Sequence, residues 1–314
     1  MSRTLNLNLD VTPNALLQVN AKEFYSKALL EDRSSAKFRQ ILGIKEKTKI
    51  ASLDFGNLLT AADCNFVPSD SFLDAKSMEI SKIALNTEIC QFEIEQSYLS
   101  EMMNQGSNGE FLPAEFATHF YAELGRAVSN QLEILTFQGD ILNGTGYLNL
   151  ADGLEIQLRK ATTTIPTAQR VVGANITSAN VIAQLTLMYN QIPTALKNRK
   201  AEILWMVAPN VADAYRLALA LQSSEQYTNK DPELSFIGYT LTVGDGMTAN
   251  KMMLSLVNNY IFLADLVSDP TDLTTINMKE TTGDRKIRVI SDFKVGFNFL
   301  NDEEWVTYGL PILP

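Results

Sequence analysis

The residues whose types could do chemistry are few and scattered. His119 is the single histidine of the chain, so a two-histidine zinc motif is impossible. A Ser-His-Asp triad would have to be built on it alone. It follows Glu115 by four positions, the spacing of a surface ion pair on a helix. Cys64 and Cys90 cannot complete a structural zinc cluster by themselves and are too few for a disulfide framework, which points to a reducing compartment. Asp265, Asp269 and Asp272 suit a hard cation by type, but their spacing fits no calcium loop, and Ser268 to Asp272 reads as a turn and helix cap. Glu93 and Glu95 stand two apart with nothing to separate their pKa values, and they read as a solvated face. Gly144-Thr-Gly146 follows a helix rather than a strand and lacks a third glycine, so it does not cradle a phosphate. The expectation is no catalytic residue, no cofactor and no metal. An acidic cytosolic α/β enzyme working through carboxylates remains the chemical alternative.

Composition narrows the classes further. The chain has 314 residues, 46% hydrophobic and 20% charged, which suffices for real cores and about two domains. A net charge of −10 argues against a dedicated nucleic-acid binder. The N-terminal text lacks the apolar run of a signal peptide, and no stretch approaches a membrane span. Asn143-Gly-Thr145 and Asn175-Ile-Thr177 therefore carry no weight as glycosylation sites. The expected product is soluble and made in the cytosol. Residues 22–49 run against the acidic balance, with eight Lys and Arg against four Asp and Glu. They read as a helical basic face or as an arm lying on a polyanion or acidic neighbour.

Periodicity supplies the elements that would position such residues. Residues 48–93 read as a long two-stranded arm with a buried base. Its second run changes parity, since Met78 and Ile80 share one face while Ile83 and Leu85 take the other, which implies a bend, a bulge or a change of environment. A lone hairpin is marginal in water, so its partner is expected to be another chain. Phe116, Phe120, Leu124, Val128, Leu132 and Leu135 keep helical spacing up to Gly139, a beam about 37 Å long at 1.5 Å per residue. Glu115, His119, Glu123, Arg126, Asn130 and Glu133 fall mostly on its solvent side. A helix is expected over Thr177–Leu196, strands over Ala201–Val207, Leu234–Val243 and Met252–Leu256, and a helix over Val211–Leu221. Ile287, Val289, Phe293, Val295, Phe297 and Phe299 alternate along one long half-buried strand, with Trp305–Tyr308 pairing back on it.

The order of these segments resembles the major capsid protein of tailed double-stranded DNA bacteriophages, the Hong Kong 97-type fold. The resemblance is carried by Gly43-Ile-Lys-Glu-Lys-Thr-Lys-Ile50, by Phe116–Phe137 ending in Gln-Gly-Asp-Ile-Leu-Asn-Gly-Thr-Gly146, and by Asp152-Gly-Leu154. It continues through Met206-Val-Ala-Pro-Asn-Val-Ala-Asp-Ala-Tyr215, Asn258-Asn-Tyr-Ile-Phe262, Asp265-Leu-Val-Ser-Asp269 and Lys286–Leu300. The text of residues 43–100 is similar to capsid proteins of crAss-like phages that infect Bacteroidetes-type hosts.

The resemblance implies an α+β chain with an N-terminal arm at 1–47, an extended hairpin loop at 48–77, a spine helix, a peripheral domain from 78–146 and 267–314, and an inserted axial domain at 147–266. It implies hexamers and pentamers in an icosahedral shell around double-stranded DNA bound without sequence specificity. Separate scaffold, portal and decoration proteins would be partners, no membrane would be involved, and assembly would occur in the host cytoplasm before the chain resides in the virion. Lys45, Lys47, Lys49, Phe66, Phe72, Lys76, Asp245 and Met247 are the expected inter-subunit contacts. Charge reversal at Lys45, Lys47 and Lys49 is expected to impair assembly more than DNA content. Lys76 and Asn298 match no Lys–Asn cross-linking motif, so subunits are expected not to be covalently joined. Encapsulin nanocompartments share this shell fold and form the alternative of the same class.

Overall fold

In the computed structural model, the described residues are 34–44, 46–55, 71–90, 114–161, 164–222, 234–265, 274–278, 282–284 and 286–313. At 51–55, 71–74, 114–119, 222 and 277 the description covers the backbone alone. They form a mixed α and β structure with two main sheets and one separate hairpin.

The first sheet is built on the long strand β12 (Lys286–Phe299). Its apolar residues at odd positions are buried and the even positions are mostly open, as the alternation predicts. Strand β4 (Ser81–Cys90) lies antiparallel along one edge from Lys286↔Cys90 to Val295↔Ser81. Strands β10 (Tyr260–Ala264) and β11 (Thr274–Asn277) share the other edge, end to end. Beyond β10, strand β1 (Arg39–Leu42) adds in parallel, Arg39 opposite Ile261. This corrects the helical reading of residues 22–49 over its described part. A 3₁₀ turn at Ser34–Lys37 leads into a short strand whose partner lies far along the chain.

The second sheet has the order β5-β13-β9-β6-β8-β7, from β5 (Arg170–Val171), β13 (Val306–Tyr308), β9 (Met252–Leu256), β6 (Ile203–Val207), β8 (Tyr239–Val243) and β7 (Ser235–Phe236). All five residues of β9 are buried, a strand covered on both faces. Helices α3 (Val181–Asn190) and α5 (Pro209–Gln222) pack on each other and on the sheet, α3 against β13 and α5 against β8. The single helix expected over Thr177–Leu196 is divided: Pro193 cannot continue α3, and a separate turn α4 (Thr194–Lys197) follows. The single strand expected over Leu234–Val243 is also divided, by the turn Ile237-Gly238. Trp305–Tyr308 does not pair back on β12. Its residues 306–308 pair with β9 and β5 instead. Sheet membership thus crosses the expected boundaries, β10 lying in the first sheet and β13 in the second.

The spine helix α1 (Ala114–Gln138) is 25 residues long. At 120–131 it is amphipathic, but nearly every residue of 132–139 is at least partly buried as the helix enters the core. Glu133, expected on the solvent side, is buried. Helix α2 (Leu154–Lys160) follows across the backbone hydrogen bond from Gly153 to Gly139.

Strands β2 (Thr48–Phe55) and β3 (Ser71–Met78) form the separate hairpin, Thr48 opposite Met78 and Phe55 opposite Ser71. The parity change between Ile80 and Ile83 marks the passage from this hairpin into the five-stranded sheet at residues 79–80.

Candidate assembly surfaces

An aromatic run joins the two sheets. Phe38, carried by the arm, meets Phe137 of α1 edge-on at 6.3 Å and stacks on Tyr260 of β10 at 5.2 Å. Tyr260 meets Trp305 at 4.6 Å, and Trp305 meets Phe299 of β12 at 5.4 Å. Beside it Asn259 is almost fully buried with all its side-chain capacity in use. Its amide donates to Ser255 Oγ and to the Asn301 carbonyl, and its Oδ1 accepts from the backbone of Leu300 and Asn301 at 2.8 Å each. This asparagine ties the β9–β10 turn to the β12–β13 turn. Its neighbour in sequence, Asn258, offered no hint of which of the two would be buried.

The hairpin is rooted on the same joint. Lys76 Nζ lies 3.4 Å from the Phe299 ring centroid and forms an ion pair with Asp302 at 2.6 Å. Met78 is fully buried with Ile261 and Leu263, and Ile50 and Ile80 pack against them. Lys47 pairs with Glu79 beside this root.

Two buried carboxylates fasten chain segments onto the helices, Glu133 on α1 and Glu155 on α2. Glu133 accepts from the backbone N–H of Ser34 at 3.2 Å and from its hydroxyl at 2.6 Å, which docks the arm. Glu155 in the first turn of α2 accepts from the Thr248 N–H at 2.8 Å. Burial pushes its carboxyl above the usual carboxylate value, against the opposing pull of the Thr248 hydrogen bonds and of the Lys251 and Arg159 charges. Between these contacts Gly246 sits on the backbone of α1, where a Cβ would come within 2.1 Å of the Glu133 carbonyl.

The outer face of the first sheet is charged. Glu88 accepts from Lys286 at 2.5 Å and from Arg288 at 2.6 Å, and these hydrogen bonds hold its carboxyl below the usual value. Lys82 meets Asp292 at 2.8 Å along the diagonal, which separates it from Lys294 directly opposite. Among the described residues, no group of three or more His, Cys, Asp or Glu side chains could hold a metal ion, and no helix is long and apolar enough to cross a membrane.

No protein-family model and no curated protein matches the sequence. Solved structures do match its shape. A chain of the satellite phage P4 procapsid that includes the size determination protein aligns over 92% of this chain and 97% of its own, with a TM-score of 0.58 at 10% identity. A chain from the capsid of the empty GTA particle aligns over 89% and 97%, with 0.55 at 10% identity. The capsid of cyanophage P-SCSP1u gives 0.54 at 7% identity over 87% and 86%. The chain has the fold of a phage capsid protein.

In this capsid fold the expected contact residues separate. Lys47 and Lys49 are exposed beside the hairpin root, and Asp245 is exposed on the loop between β8 and β9. Lys76 is only partly exposed and is held by Asp302 and Phe299 of its own chain. Met247 is 4% exposed. It belongs to the subunit core rather than to a contact surface, because its loop is pressed onto α1 and α2 by Gly246 and Glu155. Phe72 lies in β3, where the description covers the backbone alone. Lys45, Phe66, Cys64, Glu93, Glu95, Asp269 and Asp272 lie outside the described residues, as does the His119 side chain. Asp265 pairs with Lys294 at 3.6 Å. Gly144-Thr-Gly146 closes a loop fastened by Asp140, whose carboxylate accepts from the backbone of Leu142 and Asn143. Sequence reasoning missed Ser34, Glu133, Glu155 and Asn259. Only Glu155 carried a signal, as an acid in a first helical turn after glycine.

Proposed function

We propose that this chain is the major capsid protein of a tailed double-stranded DNA phage, in the Hong Kong 97-type arrangement. The observation that carries the reading is alignment over nearly the whole chain with subunits of assembled capsids. The hairpin supports it, since its two strands pair with each other and, among the described residues, with no other strand. A hairpin left so is completed when a neighbouring copy covers it.

The peripheral domain would be built on the five-stranded sheet and α1, from residues 78–146 and 267–314. The axial domain of 147–266 would be built on the six-stranded sheet, with β10 and β13 exchanged between them. Copies would join as hexamers and pentamers, many weak contacts becoming a stable shell through avidity. The role is structural rather than enzymatic. Scaffold, portal and decoration proteins would be separate partners, and assembly would precede DNA packaging in the host cytoplasm. A net charge of −10 lets packaged DNA slide past the lining rather than grip it.

Electron microscopy of the chain expressed with its native partners tests this. Icosahedral capsomers with DNA-filled native particles are expected. A small protein-filled shell would assign the encapsulin role, and a chain that remains monomeric with those partners would end the shell reading. Boiling the particles in denaturant should release single chains on a gel, with no ladder of covalent multimers.

A further inference from the structure

Three cations at one edge of the six-stranded sheet form no ion pair among the described residues, in a chain that holds 36 Asp and Glu against 26 Lys and Arg. Arg159 of α2 donates to the Pro311 carbonyl at 3.1 Å, whereas its neighbour Lys160 pairs with Asp152. Arg170 of β5 donates to the carbonyls of Leu158 and Ala161, and its Nε and Nη1 are buried with no acceptor among the described residues. Asp302, whose charge reaches Arg170, is already held by Lys76 at 2.6 Å. Lys251 donates to the Gly309 carbonyl. Glu155, which feels the charges of Lys251 and Arg159, is buried and bonds Thr248 instead. A carbonyl satisfies a donor but does not neutralise a charge, so the three cations leave this edge positive.

These cations border a recess of about 770 Å³, the size of a ligand site. Arg170 and Lys251 line it, no Asp or Glu does, and Val171, Val172, Leu310, Pro311 and Ile312 make its apolar wall. A free strand edge runs beside the recess. Strand β5 ends the sheet and, among the described residues, pairs with β13 alone. The Val171 carbonyl accepts from the Gly309 N–H at 3.0 Å, so the alternation of the ladder turns the N–H and C=O of Val172 outward. Val172 is 89% exposed there, and no described group bonds its backbone. An edge so placed is a template for an added strand.

Charge, wall and edge together select one kind of partner. It is an extended segment whose backbone adds to β5, with an apolar side chain for the wall and carboxylates for the cations. A phosphate backbone would meet the cations but leave the apolar wall uncovered. A second copy of this chain offers no such strand from its two main sheets. The edge strands β1, β7 and β11 carry no acid, and Glu88 of β4 is held by Lys286 and Arg288. We propose that the recess beside Val172 docks an extended acidic segment of a separate protein by strand addition to β5. The site lies within one subunit, so the proposal does not depend on the shell reading.

The test titrates the unassembled full chain into a labelled peptide of alternating Glu and Val and follows the fluorescence anisotropy. Saturable binding that weakens with salt is expected, with none to a peptide of alternating Lys and Val or to oligothymidylate. Lys251→Met keeps the stem and drops the charge, and it should weaken binding about tenfold. Lys251→Arg, which keeps the charge, should bind like the parent. Val172→Asp should also weaken binding about tenfold. Because Val172 is exposed, that variant should melt with the parent, so its loss is a loss of contact. No binding of the Glu and Val peptide, parental binding by both Lys251→Met and Val172→Asp, or tighter binding of oligothymidylate would overturn the proposal. So would self-association of the chain that the peptide displaces and Val172→Asp abolishes, because a second copy would then be the occupant.

Discussion

The two sheets bury their residues by different rules. The five-stranded sheet is one-sided where β4 pairs with β12, which alternates there between a buried and an open face laced by Glu88, Lys286, Arg288, Lys82 and Asp292; only at β10, beneath the hairpin root, is it buried throughout. The six-stranded sheet is covered on both sides at its centre, where β9 is buried throughout. One sheet therefore draws part of its order from exposed charges that salt can screen, and the other from packing that salt leaves alone.

The largest effect should come from the joint that holds the two sheets together. Trp305 is fully buried between Tyr260 and Phe299. Trp305→Ala should cost about 3–5 kcal/mol, as large-to-small changes of a buried aromatic do. If the sheets are one cooperative unit, near-UV dichroism and tryptophan fluorescence from Trp205 should both report a single shifted urea midpoint. Two separate midpoints would show that the sheets unfold independently once the joint is removed. A smaller effect is expected at the arm. Glu133→Ala leaves the Ser34 N–H and hydroxyl without their acceptor, for about 1–3 kcal/mol. The same urea titration checks it, and an unchanged midpoint would mean that water replaces the carboxylate.

The same contrast explains what could be read from the sequence. Alternation in β12 and the 3.6-residue period of α1 are local signals of half-buried elements, and both elements stand where those signals put them. The parity change between Ile80 and Ile83 foretold a change of environment without saying which sheet would receive each half. The signals that failed are non-local or concern full burial. Strand β1 is too short to show a period and exists because β10 offers it an edge. Glu133 shares the helical face of solvent residues, but the last turns of α1 are enclosed on every side. Trp305–Tyr308 was folded back on its sequence neighbour, but a buried asparagine, Asn259, redirects the chain into the other sheet. The strand break at Ile237 carried no turn residue in its first position, so nothing local announced it. The capsid architecture itself was legible through the order of segments and a resemblance, not through any single motif.

The smallest effects, and the ones that sharpen the comparison most, are two pH dependences of opposite sign. Glu155 is buried and its carboxyl is raised above 4.5, mainly by desolvation. The folded state therefore favours its protonated form. That contribution is complete below 4.5 and is lost as pH rises through the raised value. Glu88 is on the open face and its carboxyl is lowered from 4.5 by the hydrogen bonds from Lys286 and then Arg288. Its contribution is present above 4.5 and is lost as pH falls through the lowered value. Both variants should match the parent in acid and diverge from it as pH rises past 4.5, in opposite directions: Glu155→Gln should melt higher than the parent and Glu88→Gln lower. The Glu88→Gln difference should vanish in molar salt, because its partners are exposed. The Glu155→Gln difference should persist, because desolvation rather than a screened charge pair sets it. If both differences faded together in salt, burial would not be what distinguishes the clasp beside α1 from the charged ladder on β12.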